Sequence, residues 1–168
     1  AFSILLSKGS TENMAIAELY IQALKRLGIA VTVDAVDDAQ FVARNNEFDF
    51  DMAIFRRALS LSPGSEQRYY WGSEAADQPG SRNLMGVKSA AIDALIDTMV
   101  SAKSNDEFIA ATHALDRVLT AGRYVIPFWQ FTEDRIAHIS ALKYPEHVPL
   151  YGDGPNFMPE VWWLDPQD

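Results

Sequence analysis

The chain has 168 residues, about one domain's worth, and its 48% hydrophobic and 22% charged residues provide enough apolar material for a core. Fourteen basic residues against twenty-three acidic ones give a net charge of −9. This balance argues against nucleic acid as a partner, because phosphate binding needs a basic surface. The lack of cysteine excludes disulfides and thiolate metal sites, and no apolar run approaches the ~18 residues of a membrane helix.

Three short apolar runs near the start of the chain predict buried strands at Phe2–Leu6, Ile29–Val33 and Phe50–Phe55. Helical patterns lie between them. Strand, helix, strand, helix, strand at this spacing predicts βαβ units, and therefore an α/β fold with a mixed, mostly parallel sheet flanked by helices. Because ligands of such folds bind beyond the carboxyl ends of the strands, we expect the functional site at that edge of the sheet.

Capping residues set the limits of the first two helices. Ser10 or Thr11 is the predicted N-cap of the first helix, and Gly28 stops it. Asp37 and Asp38 open a second, shorter helix. Helical spacing indicates one apolar face on the first helix, which consists of Ile16, Leu19, Ala23, Leu24 and Leu27.

The second half of the chain predicts a helical hairpin followed by irregular structure. Ser89 is the N-cap of the first helix, and Ser104 with Glu107 forms a capping box that starts the second helix, which ends at Gly122. Strands are expected at 124–129 and 135–139, and the proline-rich tail from Tyr144 is expected to be irregular. The apolar stripe of the first helix consists of Ile92, Leu95, Ile96, Met99 and Val100. That of the second helix consists of Phe108, Thr112, Leu115, Val118 and Leu119.

The stretch from Phe48 to Asn83 is the part of the sequence that points most directly to a function. Its apolar strand runs into a pair of arginines and then into a loop rich in arginine, serine and aromatic residues. The planar guanidinium suits a carboxylate or a phosphate, and aromatic rings offer flat walls to a ligand. Surface ion pairs and a core aromatic are the simpler alternatives. The candidate ligand-binding residues are Arg56, Arg57, Ser60, Ser62, Tyr69, Tyr70, Trp71, Arg82 and Asn83.

Other groups that resemble chemical sites have simpler interpretations. Asp93 and Asp97 lie on a helix face opposite its apolar stripe, and we expect them to be solvated. His113, His138 and His147 lack the spacing of metal ligands. No nucleophile motif or phosphate loop occurs, so we predict no catalytic residue, no metal and no cofactor, and a binding protein rather than an enzyme.

The order and spacing of several motifs resemble family 5 of the extracellular solute-binding proteins. These proteins serve ABC importers for oligopeptides, dipeptides, nickel and related ligands. The segments that carry the resemblance are Ile21–Val31, Phe48–Ala53, Ala91–Ile96, Ala114–Leu119 and Val125–Pro127. They extend the resemblance over most of residues 2–131.

The segment 60–86 and the ending 162–166 are similar to the YejA-like branch of this family. One departure from the family pattern bears on the ligand. Oligopeptide binders of the family carry Trp-x-x-Asp after the third strand, where the Asp holds the α-amino group of the peptide, but the matching positions here are Arg57 and Ser60. The resemblance implies a peptide or peptide-like ligand, and the arginines favour one that is anionic or bears a carboxylate.

The resemblance also implies a context for the chain. Residues 1–131 would form a ligand-binding lobe of periplasmic-binding-protein type II, and residues 132–168 a returning strand and tail. Ala1 already lies inside a strand pattern, which indicates a piece of a longer protein whose N-terminal lobe would close over the ligand. Permease subunits of an ABC transporter would be further partners. The expected location is periplasmic or extracellular, and membrane-associated for a lipoprotein.

Two other classes of function stay open at this point. An effector-sensing domain of a regulator can share the same lobe architecture, and a DNA-binding helix-turn-helix upstream of Ala1 would identify one. A small hydrolase or transferase would need a nucleophile with a base within hydrogen-bond reach, such as a serine against His113 or His138.

Overall fold

The computed structural model describes residues 1–57, 62–128, 136–147 and 160–165. The chain divides into two compact units, one of Ala1–Leu59 with Pro63–Val125 and the other of Ser60–Ser62 with Ile126–Asp168. Each unit has its own sheet. Within the described part of the chain, no helix combines the length and apolar character needed to cross a membrane.

A parallel sheet forms the centre of the first unit. Its strands are β1 (Phe2–Ser7), β2 (Val31–Val36) and β3 (Met52–Ala53), in the order β2-β1-β3. The central strand β1 pairs in parallel with both neighbours and is buried at Ile4, Leu5 and Leu6. The prediction of βαβ units with a parallel sheet is therefore confirmed.

Two strands differ from the predicted bounds. The second strand begins at Val31 rather than Ile29, because the Ile29 N–H still donates to the Leu24 carbonyl in the turn that ends the preceding helix. The third strand spans only Met52–Ala53 of the predicted Phe50–Phe55, since its register against β1 covers just these two residues. Beyond them the backbone leaves the sheet and carries the two arginines away from it.

Helices α1 (Thr11–Lys25) and α2 (Asp38–Asn46) begin at the predicted capping residues. The Ser10 side chain accepts from the Asn13 N–H, and the Asp37 carboxylate accepts from the Gln40 N–H. Such caps satisfy the N–H groups that the first helical turn leaves open. Gly28 has a φ of +76°, which an L side chain rarely adopts, and so closes the turn after α1.

The predicted apolar face of α1 is wrong in part. Met14, Ala17 and Ile21 face the sheet, whereas Leu19 and Leu27 are each 74% exposed. Both series follow helical spacing, so the sequence pattern alone does not distinguish them. The packing of the small Ala17 against β1 decides the rotation of the helix, because a small side chain permits close approach there.

The remaining regular elements of the first unit are helices. Helix α3 (Gln67–Trp71) precedes a 3₁₀ turn at Ser73–Asp77, and α4 (Ala90–Ser101) and α5 (Asn105–Gly122) follow. Ser89 and Ser104 cap α4 and α5 as predicted. Helices α4 and α5 share a second hydrophobic core, made of Val87, Ile92, Ile96, Met99, Ala111 and Leu115.

The second unit contains an antiparallel pair, β4 (Leu142–Lys143) with β5 (Trp163–Leu164). Tyr144 stacks on Trp162 with ring centroids 4.7 Å apart. Residues 124–128 and 136–139, which fall within the two strands predicted in this region, are not strands, and 129 and 135 lie outside the described residues. Pro127 lacks an N–H for a ladder, and apolar β-branched residues without a pairing partner do not make a strand.

One carboxylate holds β3 to β1 at the amino end of the sheet. The Asp51 side chain accepts from the Ser3 N–H at 2.8 Å and from the Ser3 hydroxyl at 3.0 Å. These two hydrogen bonds hold the pKa of Asp51 below its ordinary value. A lowered pKa means that Asp51 stabilises the fold above the ordinary aspartate pKa of about 3.9 and that this stability is lost as the pH falls further.

We therefore expect Asp51→Asn to remove part of the acid dependence of stability. Thermal unfolding followed by circular dichroism across the acidic range should show a Tm difference between wild type and variant at neutral pH. The difference should shrink as the pH falls below about 4. Asp116→Asn is the control, since Asp116 is exposed on α5 and has no hydrogen bond among the described residues. A constant Tm difference at every pH would contradict the assignment.

Candidate functional site

The carboxyl edge of the parallel sheet gathers three chain segments. Strands β1, β2 and β3 all end there, because they run in parallel. The Lys8 N–H donates to the Val36 carbonyl at 2.8 Å, and the Ser7 hydroxyl donates to Asp38, so the turn after β1 is joined to the start of α2. Arg56 and Arg57 follow β3 at the same edge. Arg56 and Arg57 therefore lie at the edge of the sheet that the sequence predicted.

Arg56 is engaged with the first turn of α1. Its guanidinium lies 2.9 Å from a Glu12 carboxylate oxygen and 3.2 Å from the Asn13 side-chain oxygen. Both partners are at the carboxyl edge of the sheet, next to the end of β1. Arg56 therefore has the simpler role that the sequence left open, that of a surface ion pair, and it helps to hold the chain after β3 against α1.

Arg57 has a different environment. Its guanidinium carbon lies 3.6 Å from the centre of the Tyr70 ring, and 5.5 Å and 5.4 Å from those of Phe55 and Trp71. This is cation–π geometry with Tyr70 as the main partner. Burial lowers the pKa of the Arg57 guanidinium, Tyr70 opposes that effect, and the positive charge of Arg82 adds to it. Arg57 is half-buried, and no carboxylate among the described residues forms an ion pair with it.

Of the other candidates, Tyr69 and Arg82 are exposed, and Trp71 is partly buried against the core of α4 and α5. The sequence expected at least one aromatic to be a core residue, and Trp71 is that residue. Ser62 is exposed and belongs to the second unit. Ser60 lies outside the described residues. The structure thus brings Arg57 and Tyr70 into contact and leaves Arg56 with partners of its own.

Asn83 is fully buried and its amide is used within the fold. The side-chain nitrogen donates to the carbonyls of Gly72 at 3.0 Å and Val87 at 2.9 Å, and the side-chain oxygen accepts from the Val87 N–H at 2.9 Å. These bonds tie the end of α3 to the start of α4 through a single side chain. We therefore leave Asn83 out of the set that could face a ligand and regard it as a residue that positions α3.

Helix α3, which carries Tyr70, is fastened to α4 by charged groups that the sequence analysis expected to be solvated. Arg68 forms an ion pair with Asp97 at 2.7 Å, and Asp93 accepts from the Ser73 N–H at 2.9 Å. The expectation is confirmed for Asp97, whose side chain is exposed although it pairs with Arg68, and is wrong for Asp93, which is partly buried where it accepts from the Ser73 N–H. Their spacing of four residues on one helix face was the available signal.

Gly72 sits where α3 meets the 3₁₀ turn, and its backbone approaches the preceding helix closely. A Cβ added there would lie 2.6 Å from the Arg68 carbonyl oxygen. A side chain at this position would clash with the backbone of α3 itself at Arg68. The end of the helix that carries Tyr70 therefore needs a glycine because there is no room for a Cβ, and not because the backbone has a positive φ.

The described residues contain no group of three or more His, Asp or Glu side chains arranged to hold a metal ion. Two open grooves of about 510 Å³ and 470 Å³ lie elsewhere, one at Gly64–Ser65 and the link between α4 and α5, the other along α1 and β2. Neither is lined by Arg57 or Arg82.

Asn83→Ala should destabilise the protein by about 2–4 kcal/mol, because it leaves two buried carbonyls and one buried N–H without their partner. Chemical denaturation measures this free energy of unfolding. Asn105→Ala, at an exposed position in the first turn of α5, is the matched control and should change it by well under half as much. Equal effects of the two variants would mean that the Asn83 bonds do not hold α3 in place.

Curated relatives match nearly the whole chain. The uncharacterized protein y4wM of Sinorhizobium fredii is 45% identical over 97% of this chain and 24% of its own length. The probable peptide-binding protein YejA of Agrobacterium fabrum is 46% identical over 86% of this chain and 23% of its own length. Peptidoglycan-binding protein YepA of the same organism is 37% identical over 97% and 26%. The chain spans about a quarter of the length of these relatives.

Two solved structures share the fold. The oligopeptide-binding protein AppA of Bacillus subtilis, in complex with a nonapeptide, matches with a TM-score of 0.69 and 19% identity over 97% of this chain and 31% of its own. The periplasmic binding protein DppA of Helicobacter pylori, in complex with the peptide STSA, matches with a TM-score of 0.59 and 17% identity over 70% and 23%. They confirm the predicted α/β lobe.

Residues 1–79 match the family described as bacterial extracellular solute-binding proteins, family 5 Middle. Two of these relatives, YejA and YepA of Agrobacterium fabrum, are binding proteins by name. Four of the motifs on which the resemblance was based lie on or next to α1, β3, α4 and α5, and the fifth, Val125–Pro127, begins where the first unit ends. Nearly half of this chain therefore matches family 5 of the bacterial extracellular solute-binding proteins, and the resemblance seen in the sequence is confirmed over these residues.

Proposed function

We propose that the chain is part of the substrate-binding component of an ABC importer and contributes one of two lobes that close on a peptide or peptide-like solute. The match to family 5 supports the transport role. The peptides in the AppA and DppA complexes and the name of the Agrobacterium relative YejA support the ligand class. The rest of the protein would supply the opposite lobe.

The observation that carries this proposal is the surface at the carboxyl edge of the sheet. Arg57 follows β3 there and stacks on Tyr70 of α3, and the residue before it on α3, Tyr69, is exposed. A solute-binding lobe needs such a half-site, because the ligand is enclosed only when the second lobe arrives. The ligand then shifts the population toward the closed form through contacts that exist only in that form.

The proposed partners follow from the transport role. They are the opposite lobe, the permease subunits of the importer and the solute itself. The corresponding location of the whole protein is the periplasm or the cell exterior. The name of the relative YepA adds peptidoglycan fragments to the solutes worth testing.

We expect the full-length protein to carry a solute from its host and to close on it. Mass spectrometry of the protein purified without denaturant should detect a peptide or a peptide-containing fragment. Adding that solute to the stripped protein should reduce the radius of gyration measured by small-angle X-ray scattering, because hinge closure makes the molecule more compact. Binding without any compaction would contradict the two-lobe mechanism, and recovery of no peptide-containing solute would contradict the ligand class.

The proposal also predicts that this lobe alone binds weakly. Half of the ligand's burial is absent without the opposite lobe, so we expect its affinity to be lower by at least about 100-fold, or about 2.7 kcal/mol. Isothermal titration calorimetry of the lobe and of the full-length protein with the same solute compares the two. Equal affinities would show that the ligand is held by one lobe only.

A further inference from the structure

We propose that the outward side of α1 is a contact surface inside the full-length protein and that the polypeptide leading into Ala1 covers it. The surface consists of Ala15, Leu19 and Ala23 on the helix and Leu27 just after it. We call it the outer face of α1. Such a contact would exist whichever solute the protein binds.

The outer face is apolar and exposed. Leu19 and Leu27 are each 74% exposed, and Ala15 and Ala23 are exposed as well. Residues four apart lie one above the other on a helix, so the three helical members form one strip, and Leu27 lies two residues beyond the end of the helix. A single exposed leucine is ordinary at a protein surface, whereas a continuous apolar strip is typical of a contact.

The polar side chains of α1 lie on a different side of the helix. Beyond its first turn, the charged and amide residues of α1 are Glu18, Gln22 and Lys25, and their spacing of four and three puts them on one strip. The side that carries the buried Ala17 packs on the sheet. A helix with two apolar sides and one narrow polar strip is typical of a helix that is covered on both apolar sides. Only the polar strip would then face water.

Val42 on α2 shows what an ordinary exposed apolar residue looks like in this chain. Its side chain is 56% exposed. Its neighbours three and four residues away on the helix are Asp38, Ala39, Asn45 and Asn46, of which three are polar. Val42 is therefore a solitary apolar side chain that water can surround, and it serves as the reference for the outer face of α1.

The position of Ala1 indicates which part of the protein covers the outer face. The chain spans about a quarter of the length of its relatives, so most of such a protein lies outside it. The Phe2 N–H donates to the Ala30 carbonyl at 3.2 Å, next to the turn that follows α1. The parallel register of β1 and β2, continued backwards, places the residue before Ala1 beside Ile29, two residues from Leu27.

The direction of α1 defines the shape of the covering segment. The helix runs from the carboxyl edge of the sheet back to the amino edge, where β1 begins. A segment that lies along the outer face and then enters β1 therefore passes Leu19 before it reaches Leu27. From Ala15 to Lys25 the helix is about 15 Å long at 1.5 Å per residue, the length of a three-turn helix. An amphipathic helix of that length would bury the strip.

The test uses the full-length protein, purified and free in solution, with carbene footprinting read by mass spectrometry at the level of single residues. In this chain Leu19 and Leu27 are more exposed than Val42, at 74% against 56%. If the outer face is covered, the order of labelling should be reversed, with both leucines labelled less than Val42. Gln22, on the polar strip of the same helix, should stay labelled.

A photoreactive benzoylphenylalanine at the position of Arg26, which is exposed beside Leu27, identifies the covering segment. Irradiation should yield a crosslink within one molecule, to the polypeptide that leads into Ala1. As an independent measure, Leu19→Gln should lower the Tm of the full-length protein, because it places an amide against a covering apolar segment. Val42→Gln is the matched control and should leave Tm unchanged.

Each alternative occupant gives a different result and overturns the proposal. Leucines labelled more than Val42 in the free protein would mean that water, or a partner absent from the sample, faces this side of α1. Protection that disappears on dilution, with crosslinks between molecules, would identify a second copy. Crosslinks to another part of the same molecule would assign the contact to a different segment.

Discussion

Parallel pairing of β1 with a strand on each side is the constraint on which the rest of the first unit depends. Burial of Ile4, Leu5 and Leu6 fixes this strand at the centre, and its register fixes β2 and β3 beside it. Parallel strands all end at one edge of the sheet. The pairing alone therefore places the turn after β1, the start of α2 and the segment after β3 next to one another at that edge. The proposed ligand surface follows from this arrangement.

Much of the fold could be predicted because its signals are local. Ser10, Asp37, Ser89 and Ser104 cap their helices through side chains that bond N–H groups a few residues away, and such bonds can be read from short motifs. The rotation of α1 could not be predicted in this way. It is set by the close packing of Ala17 against the sheet, a contact between segments that are distant in sequence.

The sequence predicted where the candidate site lies, but it did not predict what each of its residues does. The sequence located the arginines at the carboxyl edge, but it treated Arg56 and Arg57 alike and placed Asn83 beside them. Which of the two guanidiniums is paired depends on Glu12 in another helix, and the burial of Asn83 depends on carbonyls that only the folded loop brings together. The departure from the Trp-x-x-Asp pattern was the one sequence signal that singled out Arg57.

The first unit has two separate hydrophobic cores, one between the sheet and α1 and the other between α4 and α5. Arg57 extends from the chain after β3 while Tyr70 belongs with the helices, so their stack joins the two cores at the surface. A substitution of Arg57 will therefore also alter a contact between the segment that follows the sheet and the helices that form the other core. Arg82 is exposed, so a change of its side chain should disturb the packing less.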